Sequence, residues 1–393
     1  MGTTGGPERR RSGPLRAVGI AAAAAAIAAA AVVVLVQAGS SEPAPGPTST
    51  LGRDTHVCVV VGTPGADGAR LRVPLGQALW KAHRELQTTG SLVVVHGDRA
   101  MAAAIDRFVG RGCDLVATTG TEARAATFAA ASAHPDRHFA LIGGTSPASL
   151  PNVTVVRFHP EQAAFVAGYL AGGISRTGIV GAFGGIRTPE VVAMLQSFAA
   201  GVAKLNADRE LAVPLLGWNP ETQRGLFAGS VGDPEAGRRV ARRLVSNGAD
   251  VVFAVAGDAA RGAASVVHGV GDSLMIGSGW DRARTASVPD LWVTSVEDRA
   301  AVMLRVLIGR EIRGTFRPGL LEATLANGGV GLAQLRGPGA SISGKLRYEL
   351  EQLGIEIADG GLSIQPRSYP ALPSPGATPS APATEPGDEG DGD

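Results

Sequence analysis

Between His56 and Arg310 the chain alternates short, valine-rich apolar runs with longer alanine-rich segments, and this alternation restricts the fold more than any other feature of the sequence. A brief uninterrupted apolar run suits a strand buried on both faces, and the helical segment after it supplies the crossover that parallel strands require. Strands are expected at His56–Val61, Leu92–Val95, Asp114–Thr118, His138–Ile142, Val153–Arg157, Gly178–Phe183, Ala212–Trp218, Val251–Val255, Leu274–Ser278 and Leu291–Ser295. Helices are expected at Leu75–Thr88, Met101–Arg111, Glu122–Ala133, Pro160–Ile174, Pro189–Asn206, Pro234–Asn247, Ala259–Val270 and Asp298–Arg310. Pro160, Pro189 and Pro234 stand at a first turn, where a missing N–H loses no hydrogen bond, and Gly112 and Gly248 stand just past a helix end. So many strands exceed one modest sheet, and the predicted fold class is α/β with two Rossmann-like lobes.

The flanks have a different composition. Arg9, Arg10, Arg11 and Arg16 precede an uncharged run from Ala17 to Val36, long enough as a helix to cross a hydrocarbon core of roughly 30 Å. Positive charge on the leading side holds that end in the cytoplasm and sends the remainder outward. Residues 1–38 read either as a retained membrane anchor or as a cleaved signal ending near Val36-Gln37-Ala38; both readings export the body of the chain. Residues 39–55 form a Pro/Ser-rich linker, and the stretch 368–393 reads as a disordered, acidic tail. Charged residues make up 18% of the chain and the formal net charge is +1. That balance offers no basic excess for nucleic acid.

In open parallel sheets, ligands sit in the crevice outside the carboxyl ends of the strands. The residues there are small and polar: Gly62-Thr63-Pro64-Gly65, Thr119-Gly120-Thr121, Gly143-Gly144-Thr145-Ser146 and Gly184-Gly185. They suit a cleft whose backbone N–H groups approach a ligand, and equally suit ordinary strand-to-helix turns. Catalytic patterns are thin. The only metal-like histidine spacing, His134 to His138, is interrupted by Pro135; no Gly-x-Ser-x-Gly elbow occurs, and Gly181–Gly185 lacks the third glycine of a dinucleotide fingerprint. No enzyme activity, catalytic residue, metal or cofactor is expected. Cys58 in the first strand and Cys113 at the start of the third would lie on neighbouring strands, close enough for a disulfide in an exported protein; two buried thiols are the other reading.

The stretch NVTVVRFHPEQAAFVAGYLAGGISRTGIVGAFGGIRTPEVVAMLQSFAAGVAKLN, from Asn152 to Asn206, resembles the basic membrane protein family of ABC-transporter solute receptors, which includes purine-nucleoside binders. GADVVFAVAG at Gly248–Gly257, IGSGWD at Ile276–Asp281, VTSVEDRA at Val293–Ala300 and NGGVGLA at Asn327–Ala333 follow in the same order, so the resemblance runs from about 56 to 335. It implies the type I periplasmic-binding-protein fold, whose chain crosses between lobes three times, here near Phe158, Val296 and Phe316. Lobe I is then expected at 56–157 plus 296–316, and lobe II at 158–295 plus 317–367. The sequence departs from the family at three ligand positions. Arg72-Val73-Pro74-Leu75-Gly76-Gln77 before Trp80 replaces Asp-x-Ser-Phe-Asn-Gln, Gly277-Ser278-Gly279 replaces Gly-Val-Asp, and Glu297-Asp298 stands where a lysine is usual.

Strand ends and resemblance together give a candidate ligand set of Thr63, Trp80, Thr119, Gly120, Thr145, Phe158, Gly257, Asp258, Trp280, Asp281 and Glu297. Trp280 paired with Asp281 suits a ribose-bearing or sugar-like ligand, while Glu297 nearby makes a cationic one an alternative. The leading expectation is a receptor that closes on a small ligand and hands it to an ABC permease, with the membrane reached through the N-terminal helix and no nucleic-acid partner. A membrane-anchored ligand sensor and a non-binding scaffold are the alternatives.

Overall fold

Two sheets of similar design carry the chain. The computed structural model describes residues 54–62, 67–120, 123–145 and 149–364. Residues 1–53 and 365–393, which hold the N-terminal apolar run, all but the last two residues of the linker 39–55 and the whole tail 368–393, lie outside the described residues, as does Thr63. Among the described residues, no helix is long and apolar enough to cross a membrane.

The first sheet is built from β1 (His56–Gly62), β2 (Thr89–Val95), β3 (Leu115–Thr119), β4 (His138–Ile142), β5 (Val153–Phe158) and β13 (Gly319–Ala323). Their order is β13-β5-β4-β3-β1-β2, and every pairing is parallel. The second contains β6 (Val180–Gly184), β7 (Leu215–Leu216), β10 (Val251–Val255), β11 (Leu274–Gly279), β12 (Trp292–Asp298) and β14 (Val330–Leu332), in the order β14-β12-β11-β10-β6-β7. Only β14 runs antiparallel to its neighbour. The central strands are buried along their whole length, as uninterrupted valine runs require.

Helices cover both faces of each sheet. In lobe I, α1 (Asp67–Leu86) and α8 (Ala300–Ile312) share one core with Val57, Val59 and Val61. On the other face, α2 (Asp98–Gly110) and α3 (Arg124–Ala133) pack over Cys58, Val60 and Phe139. In lobe II, α4 (Pro160–Ile174), α5 (Pro189–Arg209) and α9 (Gly344–Ala358) enclose one core, while α6 (Pro234–Val245) and α7 (Ala259–Gly269) enclose the other. Proline opens α4, α5 and α6, and a Thr188 or Asp233 side chain caps α5 and α6. α4 and α5 touch at Gly168 and Gly201, where an added Cβ would run into the facing backbone. Cys58 and Cys113 form a disulfide with their Cα atoms 6.0 Å apart, tying β1 to the turn before β3.

Several boundaries differ from the sequence reading. The expected strand Ala212–Trp218 is broken at Gly217, whose φ of +81° ends β7 and turns the chain into β8 (Trp218–Asn219), which pairs with β9 (Arg224–Gly225). α1 begins at Asp67, before the expected start, and runs through Pro74. β13 corrects the third crossing and the lobe assignment. Residues 319–323 pair with Thr154–Phe158 in the lobe I sheet, so the chain leaves that lobe after Ala323 and not near Phe316. This edge strand carries no valine run, which is why alternation did not reveal it.

Candidate ligand-binding cleft

All described residues belong to one compact unit, so the two lobes share a definable hinge. Three segments cross it: from β5 into α4 at His159, from β12 into α8 at Arg299, and from β13 to β14 through 324–329. The crossings are bonded to one another. His159 N–H donates to Ala323 O at 2.9 Å, Arg299 N–H to Gly329 O at 2.8 Å, and Leu325 N–H to the Gln162 side-chain oxygen at 2.9 Å.

In each sheet the strand order reverses at one place, between β1 and β3 in lobe I and between β6 and β10 in lobe II. Crevices open at such points. In lobe I the floor is Thr119, buried, with a side-chain hydroxyl that meets neither solvent nor a hydrogen-bond partner. Gly120 follows at φ +90°, its N–H bonded to Ile142 O, and the exposed Thr145 stands at the adjacent strand end. Phe158 is partly buried against the lobe I core. Thr119, Gly120 and Thr145 are thus brought together on one wall.

The lobe II crevice is filled by its own chain. Gly184 N–H donates to Leu226 O, and Ala228 and Gly229 N–H donate to the carbonyls of Gly184 and Gly185. Val231 O receives Ala259 N–H at 3.1 Å and lies 2.6 Å from where a Cβ on Gly257 would be. Gly257 is needed there for close backbone approach, with Asp258 leading into α7. The open polar surface of lobe II therefore lies farther along the sheet, at the ends of β11 and β12.

There Gly279 is in register with Glu297, which sets Trp280, Asp281 and Glu297 on one edge. Asp281 accepts from Arg336 at 2.9 Å, and the guanidinium of the buried Arg282 lies 3.4 Å from the Trp280 ring centre. The protein itself thus engages the aromatic–carboxylate pair that the sequence offered for a sugar. Trp80 is not part of this group. It lies in the second half of α1, 59% exposed with Arg84 over its ring, about 20 Å along the helix from its first residue. Leu75 is fully buried in the lobe I core.

Sequence reading missed the charged hinge. His159 holds Glu161 with Nδ1 at 2.7 Å and Glu322 with Nε2 at 2.9 Å, and Arg157 forms a two-pronged pair with Glu322. The bond to Glu161 raises the His159 pKa, burial opposes it, and Glu322 raises it further. Burial pushes Glu322 up, but Arg157 and His159 outweigh that effect and lower it. Glu297 is raised chiefly by burial, partly offset by Arg299 at 3.3 Å. Asp298 is the outlier: burial first, then the charges of Glu161 and Glu297, push it up to about 7, and its shielded Oδ1 accepts no hydrogen bond. The available signal was local, because Arg157, His159 and Glu161 alternate through the most specific part of the resemblance and Asp298 lies within VTSVEDRA.

A cavity of about 710 Å³ lies elsewhere, between α6, α7 and the turns at 282–291, lined by Arg238, Arg261, Ser265 and His268 among others. It meets the end of β11 through Arg282, whose guanidinium also lies over Trp280.

The family model for "ABC transporter substrate-binding protein PnrA-like" matches residues 80–336. The chain belongs to this family. Its members are substrate-binding proteins of ABC transporters and not an enzyme class. Basic membrane protein A of Borreliella burgdorferi is 31% identical over 254 residues, which are 63% of this chain and 69% of that protein. The ABC transporter nucleoside-binding protein BmpA of Lactococcus lactis is 24% identical over 42% of this chain and 43% of its own length. Among solved structures, an ABC transporter solute-binding protein from Conexibacter woesei superposes with a TM-score of 0.63 at 20% identity, covering 79% of this chain and 98% of that one. The PnrA-like fold here is the type I periplasmic-binding-protein fold, with two Rossmann-like lobes.

Proposed function

We propose that this PnrA-like chain is an extracytoplasmic receptor that captures a small polar solute between its lobes and presents it to an ABC permease. The observation that carries this reading is the hinge itself. Three bonded crossings between two independently cored lobes permit closure, and the lobe I strand ends carry small polar residues, Gly120 and Thr145, beside the buried Thr119. Thr119, Gly120, Thr145 and Phe158 would contact the solute from lobe I, with Thr63 beside them. Trp280, Asp281 and Glu297, with Gly257 and Asp258 behind, would contribute from lobe II. The basic, apolar N-terminus would export the domain and, if retained, anchor it to the outer membrane face. Nucleosides are the first class to test, given the printed name of the Lactococcus relative.

A non-binding scaffold is the second reading, favoured by the filled lobe II crevice at Leu226–Val231. A thermal-shift screen of the purified chain against nucleosides, sugars and amines separates them. A ligand that binds only the folded state at about 100 times its Kd adds about 2.7 kcal/mol, which raises the melting temperature by several degrees. A flat response to every class would favour the scaffold.

A further inference from the structure

The described acids at the hinge have partners, with one exception. Glu322 is paired with Arg157 and His159, Glu161 with His159, Glu297 with Arg299 and Asp281 with Arg336. Asp298 forms no ion pair with any described basic side chain, and its Oδ1 is sealed from solvent without a hydrogen bond. A carboxylate left this way loses roughly 1–3 kcal/mol or more of solvation, so a native fold retains one where some further group completes it. Asp298 ends β12 on the second crossing, one residue after Glu297 and within electrostatic reach of Glu161. What would complete this place is positive charge with hydrogen-bond donors.

Resting on the receptor reading above, we infer that the captured solute carries a cationic nitrogen, an ammonium or guanidinium, that seats against Asp298 with Glu297 and Glu161 flanking it. A metal ion fits less well. An ion needs oxygens that converge within a single coordination shell, and among the described residues only His56, Cys58 and Cys113 bring three such ligand atoms within 4.8 Å of one another. Both of those sulfurs are already joined in the disulfide. An organic cation spreads several N–H donors over a wider span and can satisfy separated carboxylates.

The test is calorimetric titration of the full chain in detergent with putrescine and agmatine as cationic probes and inosine as an uncharged one. At least one cationic probe is expected to bind, and Asp298→Asn, which keeps the shape and removes the charge, is expected to weaken it about tenfold or more. Binding by wild type is also expected to weaken steadily from pH 8 to pH 5, as Asp298 takes up a proton beside Glu161 and Glu297, while His159, bonded to Glu161, gains positive charge and Arg299, Arg284 and Asp281 act on Glu297. This second readout stands even if the variant fails to fold. Inosine binding equally to wild type and Asp298→Asn, with no cationic binding, would overturn the inference and leave the receptor reading intact. Cationic binding insensitive both to the substitution and to pH would overturn it as well. Silence toward all three probes would remove both.

Discussion

Asp298 and His159 show how single residues set the electrical character of the hinge. Asp298 ionises at about 7 in the folded protein and near its ordinary 3.8 when unfolded. Below 3.8 both states carry the proton and no penalty arises. Between about 4 and 7 the unfolded chain ionises while the folded one does not, so stability is lost as pH rises through that window and the deficit is constant above it. Asp298→Asn should therefore match wild type near pH 4 and become the more stable protein by on the order of 4 kcal/mol at pH 8, as read by urea unfolding at the two pH values. A constant difference across that range would mean that Asp298 is already ionised in the native state. His159 acts in the same direction, because its raised pKa makes its contribution complete below about 6.5 and lost as pH rises through the higher folded value. The sequence displayed both residues without marking either, since an acid beside an acid is ordinary on a surface and becomes exceptional only when burial removes its water.

At the scale of elements, the close contact of α4 with α5 organises the core of lobe II. Gly168 and Gly201 face each other's helices, and the absence of side chains lets the backbones meet, with Phe165, Leu170, Phe198 and Leu205 filling the space around them. Gly201→Ala would place its methyl group on Phe165 O, and the helices would have to separate. The expected loss is about 3 kcal/mol in denaturant unfolding, whereas Gly269→Ala, where nothing lies within 4 Å, should change stability by well under about 1 kcal/mol. Equal effects at the two positions would show that helix propensity and not packing governs Gly201. Sequence reading located these helices because apolar spacing and proline starts are local properties. It could not distinguish Gly168 or Gly201 from other glycines, because the clash that each avoids lies thirty or more residues away.

The whole molecule is two cored lobes joined by three crossings, and only lobe I holds the disulfide. A bridge closing a loop of this length stabilises its domain by about 2–4 kcal/mol, so reduction should weaken lobe I alone. Trp218, Trp280 and Trp292 lie in lobe II and Trp80 in lobe I, which allows tryptophan fluorescence to follow mainly lobe II while far-ultraviolet circular dichroism follows both. After reduction the dichroism is expected to begin its loss at lower denaturant than the fluorescence; coincident transitions in the reduced protein would mean that the lobes unfold as one unit. The alternation of valine runs and alanine-rich segments by itself determined two Rossmann-like lobes, most strands and helices, and the strand ends where small polar residues gather. These follow from periodicity, which is written along the chain. Tertiary structure alone decided that β13 returns to the first sheet, that residues 226–231 fill the lobe II crevice, that Trp80 stands apart, and that Asp298 is left without a partner. Each of those outcomes depends on which distant groups share a dielectric environment or compete for the same space, and no local pattern encodes that competition.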